Sequence, residues 1–137
     1  MIDVTGDPRL RIGRRNYVVQ GGVEGPVLLF PHGFGCDQSL WDGVLPAFQH
    51  DFRTVTFDYV GAGRSDVSAY DRRRYSTLEG YAQDILEVCE AFALRDVTVV
   101  AHSVSGMIAL HAAVARPALF KQLVLIGPSP CYVNEGA

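Results

Sequence analysis

The stretch from Val97 to Ala115, VTVVAHSVSGMIALHAAVA, limits what this chain can fold into more than any other. It opens as the β-branched run Val97-Thr98-Val99-Val100, the mark of a buried parallel strand. It closes as an alanine-rich helix over Val104 to Ala115, stopped by Pro117. Between the two there is room for only about two residues, so the chain must turn from strand to helix through a sharp, strained corner. Ser103 stands at the apex. Such a corner pushes its apex residue out at the carboxyl end of the sheet, where open α/β folds bind ligands. Ala101 and Ser105 are small enough to let strand and helix approach, the part that glycines take in the G-x-S-x-G nucleophile elbow. Here the literal pattern is A-x-S-x-S. From this stretch alone, a serine that only caps a helix N-terminus reads equally well.

The rest of the chain alternates in the same way. Asn16 to Gln20 (NYVVQ) reads as a short strand closed by Gly21-Gly22, and the wholly apolar Val27-Leu28-Leu29-Phe30 as a central one. The glycine-rich loop Pro31-His32-Gly33-Phe34-Gly35-Cys36-Asp37 then leads into a helix from Gln38 to Gln49, weakened by Gly43 and Pro46. Arg53 to Phe57 is the next strand, and it runs out into a turn-rich loop from Asp58 to Asp66. Ser76 and Glu79 fit a capping box for a helix reaching about Ala93, with Leu78, Tyr81, Ala82, Ile85, Leu86, Cys89 and Phe92 along one face. A last strand spans Gln122 to Ile126 (QLVLI). This order predicts βαβ units: an α/β fold with a mostly parallel sheet and helices on both faces. Gly61-Ala62-Gly63 lacks the third glycine of a dinucleotide fingerprint and opens no helix.

Composition narrows the partners. A chain of 137 residues, 48% of them hydrophobic, suits one small domain with a real core. Its net charge of −3 argues against nucleic acid or an acidic membrane surface. The one basic run, Asp71-Arg72-Arg73-Arg74, reads as a solvated loop. Cys36, Cys89 and Cys131 are odd in number and far apart, which gives neither a disulfide framework nor a metal site. Cys89 falls on the apolar face of its helix and reads as core. The N-terminal residues hold no apolar stretch, so no signal peptide is expected, and no run approaches the ~20 residues of a membrane span. The expectation is a reduced, cytoplasmic protein with no metal or cofactor.

Two loops leave the carboxyl ends of what should be adjacent strands, His32-Gly33-Phe34-Gly35 and His102-Ser103-Val104. If Ser103 attacks a carbonyl, the developing oxyanion needs preorganised N–H donors. In an elbow one donor is the amide after the nucleophile, here Val104, which also lies at a helix N-terminus. The other is the amide of Phe34, in a loop that Gly33 and Gly35 allow to turn toward the site. His32, Gly33 and His102 are the candidate substrate contacts. A plain strand-to-helix turn is the alternative for this loop; taken with the elbow, the catalytic reading is favoured.

In order along the chain, PHGFGCDQSLW, FDYVGAGRSD, YAQDILEVCEA, AHSVSGMIAL and LVLIGPSPCYVN resemble landmarks of the α/β-hydrolase superfamily. They are most similar to the RsbQ-type stress-response regulators and the plant karrikin and strigolactone receptors. The resemblance spans Asn16 to Asn134. It implies an α/β-hydrolase core with Ser103 as nucleophile, Phe34 and Val104 as oxyanion hole, and Asp58 as a structural brace of its loop. It also implies a small ester or lactone as substrate, in a signalling or stress-regulatory setting that leaves room for a regulatory protein partner. Ala101 departs from it, since the family usually has glycine there.

The triad is the larger departure. In this family the order along the chain is serine, then acid, then histidine. After Ser103 there are only Glu135 and His111, and His111 lies ~12 Å along the helix by rise. His102 should face elsewhere and His50 should end a helix at the surface, which leaves His32 as the one spatially plausible stand-in base. By the resemblance, a helical lid would follow Tyr132, and the last strands, the acid and the histidine would come after it. The chain is therefore expected to be the N-terminal part, 1–137, of a single α/β-hydrolase domain, truncated before the lid and last strands. A fragment, a split gene product and an incomplete sequence all fit, with QLVLI left as a bare apolar edge. Three roles stay open: a serine hydrolase, a slow or non-catalytic receptor or regulator of the same fold, and an inactive half-domain. Phe34, Trp41 and the region of Tyr132 mark the pocket as partly apolar.

Overall fold

The structure is a computed structural model, and its described residues are 6–129. Pro130, Cys131, Tyr132, Asn134 and Glu135, to which expectations above attach, lie outside them.

Five strands form one sheet in the order β1-β3-β2-β4-β5. They are β1 (Val19–Gly22), β2 (Val27–Phe30), β3 (Arg53–Thr56), β4 (Val97–His102) and β5 (Phe120–Ile126). Only β1 runs antiparallel, against β3; the other pairings are parallel. Every residue of β2 is buried, which is why its sequence carries no alternation. β2 and β4 are direct neighbours, Leu28 beside Thr98 and Leu29 beside Val99. Their carboxyl ends therefore deliver the glycine-rich loop and the Ser103 corner to the same place.

The alternation of side chains across the sheet sorts the core into two. Val27, Leu29, Val55, Val97, Val99 and Ala101 face α1 (Pro8–Arg15), α2 (Leu78–Ala91) and α3 (Val104–Ala115), and close the larger cluster with Ile12, Ile85 and Ile108. Cys89 belongs to that cluster as expected, and burial pushes its thiol up to about 12. Leu28 and Phe30 point the other way, onto Trp41, with Leu45, Phe48 and Val100 around them. On that second face the helical elements are short 3-10 turns, Gln38–Trp41 and Leu45–Ala47. The continuous helix expected over Gln38 to Gln49 does not form. Pro46 lacks the N–H that a helix interior needs and Gly43 disfavours one, while Asp37 closes the first turn by accepting from the Ser39 amide at 2.8 Å.

Three further expectations need correction. The first strand begins at Val19, not Asn16, because Asn16 ends α1, a helix the sequence reading missed. Its signals were present: Asp7 caps it by accepting from the Arg9 amide, and Pro8 sits at its first position. The capping box is not built either. A 3-10 turn at Arg74–Ser76 commits the Ser76 hydroxyl to the Arg73 carbonyl at 2.9 Å, and Thr77 takes the N-cap position of α2. The basic run is also not wholly solvated. Arg74 pairs with Asp84 and Glu87 at 2.7 Å each, while Arg15 pairs with the same two at 3.4 and 2.6 Å. This quartet ties α1 to α2. At the far side of the sheet β5 pairs with β4, and among the described residues its outer edge has no partner. Val124 and Ile126, two residues apart and so on one face of β5, are exposed.

Candidate active site

Ser103 joins β4 to α3 with φ 56° and ψ −124°. A capping serine has extended backbone and bonds its hydroxyl to the first helical turn. Ser103 does neither, so the helix-cap alternative fails. A positive φ at a non-glycine residue costs on the order of 1–3 kcal/mol and persists only where the surroundings impose it. Here the Ser103 amide donates to the Ile126 carbonyl at 2.8 Å, and its own carbonyl accepts from Gly106 at 2.9 Å. Its hydroxyl has no hydrogen-bond partner among the described residues.

Ala101 and Ser105, fully buried, permit the close approach that their size suggested. Ser105 also does something the sequence did not reveal. Its hydroxyl lies 2.7 Å from the Tyr59 hydroxyl and donates to the His32 carbonyl, which stitches the first turn of α3 to the loops after β2 and β3. Asp58 braces those loops as expected: one carboxylate oxygen accepts from the Gln38 amide and the other from the Arg64 amide, both at 2.8 Å.

Gly33 presses the glycine-rich loop against the corner. A Cβ at this position would lie 2.5 Å from His102 Nδ1 and 3.3 Å from Ser103 Cβ, so any larger residue forces the His102 ring or the loop to move. Gly35, at φ 75°, makes the next turn. His102 packs its ring against Gly33, with Nδ1 buried and without a partner among the described residues. It does not line the cavity described below, which agrees with a ring that faces elsewhere and leaves it out of place as a substrate contact.

His32 is 2% exposed and both its ring nitrogens are occupied. Nε2 accepts from the Tyr59 amide at 3.2 Å, which places the proton on Nδ1, donated to the Gly33 carbonyl at 2.8 Å. Burial, the largest influence, holds it below the ordinary 6.5 against the opposing pull of Asp58 and Asp37. A ring so engaged cannot take a proton from Ser103, and the stand-in base reading is withdrawn. His111 sits 3.8 Å from Glu79 on the outer side of α3, and His50 is at the surface. Among the described residues no histidine is poised on Ser103.

The neutral His32 has a measurable consequence. The unfolded chain takes up a proton below about 6.5 where the fold resists it, so stability is full above that pH and falls as pH drops through it. We expect the urea midpoint to decline between pH 7 and pH 5, and the decline to be shallower in His32→Gln. Equal slopes would contradict the assignment.

A cavity of about 870 Å³ borders the junction, lined by Gly33, Phe34 and Val104 and by Tyr59, Tyr70 and Tyr81; Ser103 is not among the residues that line it. The Phe34 ring is 94% exposed at its rim. Trp41 does not take part, because it is buried against Phe30 with the rings 5.2 Å apart. Sequence reasoning missed Tyr70 and Asp84. Asp84 left a trace: it falls three residues after Tyr81 and four before Val88, which places an acid on an apolar helix face. Among the described residues no group of His, Cys, Asp and Glu could hold a metal ion, and no helix is long and apolar enough to cross a membrane.

A parallel sheet with a strained serine at a strand-to-helix corner and a glycine loop pressed onto it defines a class, and the comparisons agree. A family model described as alpha/beta hydrolase fold matches residues 26–135, and the chain belongs to that family. Karrikin insensitive 2 receptor CA of Petunia hybrida is 44% identical over 120 residues, covering 88% of this chain and 44% of the relative. Strigolactone esterase D14 of Arabidopsis thaliana is 40% identical over 114 residues, covering 83% of this chain and 43% of the relative. A solved hydrolase from Oleispira antarctica superposes with a TM-score of 0.89 at 38% identity, over 94% of this chain and 47% of the other. The chain thus spans less than half the length of these proteins.

Proposed function

We propose that this chain carries the nucleophile and oxyanion hole of a cytoplasmic serine hydrolase acting on a small carboxylic ester or lactone. Ser103 is the nucleophile, and the amides of Phe34 and Val104 receive the oxyanion. Gly33 sets the approach of the loop, with His32 and His102 as its supports. The observation that carries the reading is the strained, uncapped Ser103 at the N-terminus of α3, where helix polarity favours negative charge. Relatives named as an esterase and as receptors fit a small-molecule ligand in this cavity.

A second reading rests on a specific observation too. No described histidine reaches Ser103, and a serine without a base is a weak nucleophile. The same fold then serves as a receptor or regulator, in a signalling or stress-response setting with a protein partner, a role that relatives named as receptors support. With oxyanion hole and binding alone, about 10³–10⁴-fold acceleration over water is expected. Stopped-flow release of 4-nitrophenol from 4-nitrophenyl acetate separates the readings. A slow burst of one equivalent per chain, lost in Ser103→Ala, supports the hydrolase. Identical traces for both proteins sink it and leave the receptor reading.

A further inference from the structure

Besides the glycine loop, three tyrosines, Tyr59, Tyr70 and Tyr81, line the cavity, and one of them is held in an unusual way. Tyr70 lines the cavity and is 52% exposed, a large amount of apolar ring to leave in water. It is nevertheless fixed. Its ring stacks on Tyr75, with centroids 5.5 Å apart and planes 21° from parallel. Tyr75 is buried at 6% exposure and pinned from three sides. Its hydroxyl donates to Asp84 at 2.9 Å, the Arg74 guanidinium lies 5.5 Å over its ring, and Tyr81 packs at 4.9 Å.

The backbone that presents Tyr70 is tied down as well. The Tyr70 amide donates to Val67 at 3.1 Å, Asp66 accepts from Ser68 at 3.0 Å, and the Asp66 amide donates to Arg15 at 2.9 Å. One face of the Tyr70 ring is therefore committed to the protein. The hydroxyl has no hydrogen-bond partner among the described residues. A ring held by a stack on one face, half-exposed and lining the cavity, costs little ordering when a ligand arrives.

We propose that Tyr70 is a specificity-determining residue of this cavity, a flat wall that selects ligands carrying a planar aryl or unsaturated ring. The inference rests on the reading of the cavity as an ester or lactone site and names the substrate class within it. An offset stack of Tyr75, Tyr70 and the ligand ring is the arrangement that aromatic quadrupoles favour. A saturated ring of the same size buries similar area and forgoes that term.

Two amides that are not turned over test this by NMR titration of the whole chain: acetanilide, which has a planar ring, and N-cyclohexylacetamide, which does not. The expected result is a dissociation constant about three- to tenfold lower for acetanilide, with amide shifts at Tyr70 and Gly61. Tyr70→Phe keeps that preference and Tyr70→Leu erases it. Equal constants in the wild type, or an unchanged preference in Tyr70→Leu, overturn the proposal. Fluorophosphonate labelling of Ser103 in the same samples is independent of Tyr70. Its failure would sink the nucleophile reading and leave the ring preference standing.

Discussion

Replacing Gly33 with alanine is expected to slow covalent modification of Ser103 by about 10²-fold while leaving the protein folded. The added methyl would stand 2.5 Å from His102 Nδ1, closer than any Cβ contact allows, and 3.3 Å from Ser103 Cβ. The half-buried His102 ring and the Ser103 corner both stand in the way, and relief by lifting the glycine loop carries the Phe34 amide, the proposed oxyanion donor, with it. Loss of one oxyanion donor costs about 10²–10³ in rate. Overpacking of this kind costs about 1–3 kcal/mol, against a total stability of about 5–15 kcal/mol for an ordinary domain. Labelling rate and urea unfolding measured side by side separate the two effects. A variant that labels at the wild-type rate would show that the loop plays no part.

Asp84→Ala is expected to destabilise the fold by about 3–5 kcal/mol, the cost of removing one member of a buried ion network. Asp84 has no solvent exposure and accepts from Arg74, Tyr75 and Asn16 at 2.7, 2.9 and 3.1 Å. Burial opposes the charge on Arg74, yet its hydrogen bonds to Glu87 and Asp84 win and raise its pKa. Without Asp84 the two arginines share Glu87 alone, and the Tyr75 hydroxyl is buried without an acceptor. Asn16, which also donates to the Asp58 carbonyl at 3.0 Å, loses its second anchor beside the braced loops. Asp84→Asn keeps the shape and an acceptor, so it should cost less. Urea denaturation checks the order, and a loss below about 1 kcal/mol for Asp84→Ala would mean that the network contributes little.

What could be read from the sequence follows from which forces are local. β2, β4 and α2 were legible because burial on both faces or a steady helical period writes itself into consecutive residues. The corner at Ser103 was legible because so few residues separate strand from helix. α1 was overlooked because it is short and polar, although Asp7 and Pro8 marked its start. The helix over Gln38 to Gln49 was overestimated because its apolar spacing outweighed Gly43 and Pro46 in the reading. His32 shows the limit most clearly. Its position in the glycine loop suggested a base, but its partners are the Tyr59 amide and the Gly33 carbonyl, and backbone partners cannot be seen in a sequence. Tyr70 and Asp84 stayed hidden for the same reason, since their roles depend on contacts across α2 and the turn at Arg74–Ser76.

Ser103 is proposed as a nucleophile held ready by its corner, with no histidine base beside it among the described residues. Intact-mass spectrometry after exposure of the folded protein to a fluorophosphonate, with peptide mapping of the adduct, tests it most directly. One adduct per chain at Ser103 is expected, absent in Ser103→Ala, formed slowly and hastened by added imidazole acting as the base. A folded protein in which Ser103 stays unmodified, or an adduct that persists in Ser103→Ala, would contradict it.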